Sequence, residues 1–158
     1  MKEKFFETSQ DIVELANEKL EAAGLLQLGL NFNIISTRKA KDVLSIAKMG
    51  GIAEYILKKY DNITIVIYEE AFDRLSDEFK NELMEGVVSN IAYDFEKDAV
   101  IIDNSRYGEF IRMRRKYANY GDVIETSIMA IEQIAEEEKE KKEAEKAAKA
   151  EKKARRTR

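Results

Sequence analysis

Histidine and cysteine are both missing from this 158-residue chain, as are proline and tryptophan. Without imidazole or thiolate it cannot assemble an ordinary zinc, copper or iron site. Ser-His, Cys-His and thiol-based nucleophilic mechanisms are closed to it as well. Catalysis would have to use carboxylate, lysine, tyrosine or hydroxyl groups, or magnesium or calcium held by oxygen ligands. No window approaches the roughly 18 apolar residues of a membrane span. The charged start Met1-Lys2-Glu3-Lys4-Phe5-Phe6 lacks the apolar stretch of a signal peptide. These absences predict a cytoplasmic protein with no membrane contact. A Lys/Glu/Ile-rich composition that omits Pro, Trp, His and Cys further suggests an AT-rich genome, that of a bacterium or its phage.

What is present is enough for one core. Apolar residues make up 44% of the chain, with seven Phe and seven Tyr. Charge is unevenly placed. Residues 136–158 hold seven Glu and ten Lys/Arg, leaving 24 acidic and 17 basic residues in 1–135. An acidic body with a basic tail places any nucleic-acid contact at the tail or in a local patch. The expected organisation is a compact domain over 1–121, a docking part of a C-terminal helix over 122–135, and a charged helical or disordered tail over 136–158.

Thr8-Ser9-Gln10-Asp11 reads as a helix start at capping-box spacing, followed by an apolar stripe to Gly24, a helix stop. Leu28, Leu30, Phe32 and Ile34 alternate like a half-buried strand. Lys39 to Tyr60 reads as a helix broken at Gly50-Gly51, with pieces near 40–48 and 52–59. Asp61-Asn62 introduces a strand containing Ile63, Ile65 and Ile67. A short helical connector over 69–75 leads to Ser76, which caps a helix with Phe79, Leu83, Val87 and Ile91 at four-residue spacing and Met84 and Val88 beside them. Tyr93–Asp103 reads as a hairpin, Tyr107 to Tyr117 as a helix, and a long helix begins near Asp122 with apolar positions 123, 124, 128, 131 and 134. The fold class expected is α+β (or α/β): a small mixed or antiparallel sheet packed by helices, with a long charged C-terminal helix.

The succession of strand, connector and capped helix containing Met84-Glu85-Gly86-Val87-Val88 resembles the zincin-like phage metallopeptidases, whose helix carries H-E-x-x-H at this point. The resemblance spans about residues 60 to 105. Only Glu85 matches the motif; Met84 and Val88 stand at the two metal-binding positions and cannot grip zinc. The resemblance thus implies a degenerate zincin-like core without the metal. The alternative is that Met84 and Val88 are simply core residues of an amphipathic helix. Neither reading gives a zinc hydrolase, and neither assigns a catalytic residue, a metal or a cofactor.

Asp94, Glu96, Asp98 and Asp103 form an acidic group suited in type to a hard cation, but Ala99 stands where a calcium loop needs glycine. Turn and capping roles explain Asp98 and Asp103 equally. The segment from Arg106 to Tyr117 packs five cations and three aromatics into twelve residues. Arg106, Arg112, Arg115 and Lys116 could hold phosphates while Tyr107, Phe110 and Tyr117 stack bases. The same residues could instead dock a protein. The reading favoured is a non-catalytic binding or adaptor protein, phage-encoded and acting in the host cytoplasm, with a protein partner. The alternative is a nucleic-acid-associated accessory protein using residues 106–117 and the tail. Oligomeric state is left open by the sequence.

Overall fold

The computed structural model describes residues 3–58 and 62–158. It begins with strand β1 (Phe5–Glu7) and helix α1 (Gln10–Ala22), then strands β2 (Asn31–Thr37) and β3 (Leu44–Lys48) and helix α2 (Gly51–Leu57). Strand β4 (Asn62–Tyr68) leads through helix α3 (Glu69–Asp73) into helix α4 (Asp77–Val88). A hairpin of β5 (Ile91–Asp94) and β6 (Ala99–Ile102) precedes α5 (Arg106–Lys116) and α6 (Tyr120–Arg156). The chain is therefore α+β, as expected.

The four-stranded sheet runs in the order β1-β2-β4-β3. β2 and β4 are parallel, and the outer strands β1 and β3 are antiparallel to their neighbours, so the sheet is mixed. Its register sets Phe32 and Ile34 of β2, and Leu44 and Ile46 of β3, on the same face as Ile63, Ile65 and Ile67 of β4. The three isoleucines are fully buried, and each contributes about 1.5–3 kcal/mol by leaving water. Helix α4 packs against β3, α1 packs on α4, and α5 and α6 complete the helical layer.

Local chemistry explains most of the boundaries. Gly24 takes φ +73, and the N–H groups of Gly24 and Leu25 return to the carbonyls of Glu21 and Leu20. That double closure is a Schellman stop, with Leu20 and Leu25 both buried on either side of it. Ser76 accepts from the Phe79 N–H at 3.2 Å and caps α4.

Several expectations are corrected. The segment near 40–48 is not helical: Leu44–Lys48 is an edge strand, because pairing with the isoleucine-rich β4 outweighs local helix propensity. Thr8 forms no capping box. It is buried against Ser36 at 2.9 Å, and Ser36 donates to Glu69 at 2.6 Å, so its hydroxyl ties α1 to the sheet. β2 begins at Asn31, after a 3-10 turn at Leu26–Leu28 and Gly29 at φ +72. Ile91 opens β5 rather than continuing α4, and α6 begins at Tyr120 instead of near Asp122. Asp61 of the expected turn and the end of the helix near 59 lie outside the described residues, and Asn62 is the first residue of β4.

α6 buries Tyr120, Val123, Ser127, Ala130 and Ile134, a stripe rotated from the one its isoleucines suggest. Ile124 and Ile131 are only half-buried and Ile128 is exposed. Beyond Ile134 the helix runs on to Arg156 with a charged, almost wholly exposed surface.

Candidate protein-binding cleft

Beside β3 lies a cleft of about 660 Å³. One wall is Lys41–Ile46, comprising the first three residues of β3 and those leading into it. The floor and far wall come from Leu83 and Val87 of α4, Phe110 of α5, and Ile124, Ile128 and Ile131 of α6. Asn104–Tyr107, at the start of α5, forms the rim. The half-buried isoleucines of α6 are accounted for by this cleft: the stripe that does not reach the core lines an open apolar surface.

The wall formed by β3 has a further property. Val43 O accepts from Tyr68 N at 2.8 Å, and Met49 N donates to Asn62 O at 3.0 Å, so the odd-numbered residues direct their backbone groups toward β4. In an antiparallel strand the intervening residues point theirs the opposite way. The N–H and C=O groups of Leu44, Ile46 and Lys48 therefore face outward along the sheet edge, unpaired among the described residues. An apolar groove beside an unpaired edge can accept an extended chain by strand addition.

The degenerate pentad does not form a site in this cleft. Met84 and Val88 are buried at 0% and 2% exposure in the core. Glu85 points elsewhere: its carboxylate accepts from Lys116 Nζ and, at 2.6 Å, from Tyr117 Oη. Burial would raise the Glu85 pKa, but these two hydrogen bonds and the Lys116 charge hold it below the ordinary value. The pentad residue that faces the cleft is Val87, with Leu83 just before it. Gly86 serves packing. A Cβ there would lie 2.0 Å from the Tyr120 hydroxyl oxygen, and Tyr120 is completely buried.

Around Tyr120 runs a polar network that the sequence reading missed. Its hydroxyl lies 3.1 Å from Glu109 Oε2, and Glu109 Oε1 accepts from Asn90 Nδ2 at 2.9 Å. Burial, followed by the nearby Glu109 charge, pushes the Tyr120 hydroxyl far above the usual range. Glu82 is also buried, and the Asn119 amide donates to both its oxygens at 3.2 and 3.0 Å. Burial raises the Glu82 pKa despite that amide.

The 106–117 residues are brought onto one helix but are not a free basic face. Arg112 binds Asp103 at 2.8 Å and also reaches Asn90. Its guanidinium, with the Ser105 backbone N–H, holds the Asp103 carboxyl below its ordinary range. Gly108 makes room for that pair, since a Cβ there would sit 2.5 Å from Asp103 Oδ2. Lys116 is paired with Glu85, and Arg106 with Asp42 across the cleft rim. Arg114 lies over the Phe110 ring, and Arg114 and Arg115 have no carboxylate partner among the described residues. Tyr107 is exposed at the rim, Phe110 lies in the cleft, and Tyr117 is tied to Glu85.

The acidic group is dispersed. Asp94 accepts the backbone N–H groups of Glu96 and Lys97 at the hairpin turn, Asp98 pairs with Tyr93, and Asp103 belongs to Arg112. Among the described residues, no group of three or more carboxylates is placed to hold a metal, and no helix is long and apolar enough to cross a membrane.

No family model, curated protein or solved structure matches the chain. The cleft and the edge strand therefore stand on their own geometry.

Proposed function

We propose that the chain is a non-catalytic binding protein, an adaptor that takes an extended segment of another protein chain along β3 and into the adjoining cleft. The observation that carries this reading is the coincidence of the outward backbone groups of Leu44, Ile46 and Lys48 with the apolar floor of Leu83, Val87, Ile124, Ile128 and Ile131. Main-chain pairing supplies affinity and the apolar floor supplies selectivity. The absence of His and Cys, and the core positions of Met84 and Val88, support a binding role over zinc hydrolysis. A zincin-like ancestry, a phage source and a cytoplasmic setting belong to the same proposal. They rest on the helix containing Met84-Glu85-Gly86-Val87-Val88 and on composition.

The nucleic-acid alternative is weakened by the ion pairs. Freeing Arg106, Arg112 and Lys116 for phosphates means breaking contacts to Asp42, Asp103 and Glu85, which leaves Arg114, Arg115 and the tail as the available cations. Capture from native extract with and without nuclease separates the two. A protein retained after nuclease treatment and lost with Ile128→Glu is the expected result. Nuclease-sensitive recovery, abolished by Arg114→Ala with Arg115→Ala and steeply weakened by salt, would replace this reading with the nucleic-acid one.

A further inference from the structure

Three surfaces that adjoin β3 stand without a partner among the described residues. The outward edge of Leu44, Ile46 and Lys48 is unpaired among the described residues, and the cleft beside it is open. Just past the end of β3, α2 turns Ile52, Tyr55, Ile56 and Leu57 to solvent at 81%, 65%, 68% and 56% exposure. Its half-buried residues are Ala53 and Glu54. A surface helix normally buries its apolar stripe and exposes its acids. This helix is the other way round, and a contiguous apolar patch of this kind marks an interaction surface.

We propose that the cleft's occupant is a second copy of this chain, docked about a two-fold axis at Ile46 so that the β3 edges pair antiparallel and each α2 reaches the other's cleft. The inference rests on reading the cleft as a protein-binding surface. Register supplies the first argument. With Ile46 on the axis, Lys48 of one copy lies opposite Leu44 of the other, and the outward groups of 44, 46 and 48 satisfy one another. The chain direction then brings Gly51 of the second copy opposite Lys41, so its α2 arrives where Lys41, Asp42 and the start of α5 form the cleft mouth. An uncharged helix face meets an uncharged floor.

Charge and area agree with this placement. Lys48 of the second copy stands diagonally across from Asp42 on the same side of the paired strands, within reach of a long side chain, so it joins Arg106 around that carboxylate, and symmetry makes two such clusters. At the exposures above, the four α2 side chains offer on the order of 500 Å² per copy, and the edge strand and cleft wall bring each face toward the roughly 800 Å² per partner of a stable interface. The contact is isologous and closed, so it yields dimers and uses up the β3 edge of both copies.

Sedimentation velocity over a micromolar concentration series, with the full chain, tests the proposal. The wild type is expected to show a monomer–dimer equilibrium. Ile56→Glu and Lys48→Pro should each weaken it about tenfold or more with unchanged circular dichroism. Both positions are exposed, and the Lys48 N–H points away from β4, so proline there spares the native ladder. Ser45 of one copy faces Ala47 of the other as a close, non-hydrogen-bonded pair, so the variant Ser45→Cys with Ala47→Cys should form a disulfide between copies of an otherwise cysteine-free chain. A monomer at every concentration, a dimer indifferent to either substitution, or a dimer without that disulfide would overturn the proposal. A monomeric chain that still captures another protein, with capture lost in Ile128→Glu, would overturn the dimer and leave the binding cleft standing. Loss of both would remove the cleft reading itself.

Discussion

Gly86 shows how a residue with no side chain can fix the packing of the largest one buried here. Tyr120 lies over it, and Gly86→Ala should cost about 1–3 kcal/mol by overpacking, read as a lower urea midpoint. Adding Tyr120→Phe removes the hydroxyl that a Cβ would meet at 2.0 Å and should recover part of the loss. Two nearby carboxylates should respond to pH with opposite sign. The Glu82 pKa is raised in the folded chain, so its ionisation destabilises the fold as pH climbs from about 4.5 through the raised value. Glu82→Gln should therefore raise Tm at pH 7, a gain that disappears below pH 4.5. The Glu85 pKa is lowered, so its stabilisation is complete above about 4.5 and is lost as pH falls through the lowered value. Glu85→Gln should reduce stability by about 1 kcal/mol at neutral pH, with the deficit shrinking in acid. None of these roles was visible in sequence order. Gly86 and Tyr120 are 34 positions apart, and Arg112 meets Ser89 and Asn90 only through the packing of α5 on α4.

Helices with a stripe and a cap or stop signal were legible in the chain, as α4 and α5 demonstrate by their serine caps and α1 by its Gly24 stop; β3 was not. Lys41 to Lys48 has too few residues to separate the two periods, and the decisive partner, β4, lies about twenty positions downstream. The cleft was hidden for that reason. The isoleucines of α6 misled in a related way, since Ile124, Ile128 and Ile131 form a real stripe that faces the cleft while Val123, Ala130 and Ile134 face the core. α6 also divides in its energetics. Ile134 is 1% exposed, and Ile134→Ala should cost about 2–5 kcal/mol. Deleting residues 141–158 removes exposed surface beyond the Arg74–Glu137 pair and should change unfolding free energy by less than about 0.5 kcal/mol. A large loss on that deletion would mean that the tail packs against the body.

Taken together, the sheet is closed by helices on one face but leaves β3 as an unsealed edge, with an apolar groove on one side and an outward-facing apolar helix at its end. Isolated proteins usually protect such an edge with charge, proline or a bulge. Within β3 the single charged residue is Lys48, and proline is absent from the chain. Residue-resolved amide exchange by NMR tests the central claim that this edge is a docking strand. In the dilute free chain the N–H groups of Ser45 and Ala47, bonded to β4, should exchange slowly and those of Leu44, Ile46 and Lys48 rapidly. On raising the concentration or adding a captured partner, the second set should become protected while the first is unchanged. Protection of Leu44, Ile46 and Lys48 already in the dilute monomer, or no change when partner binds, would contradict the account.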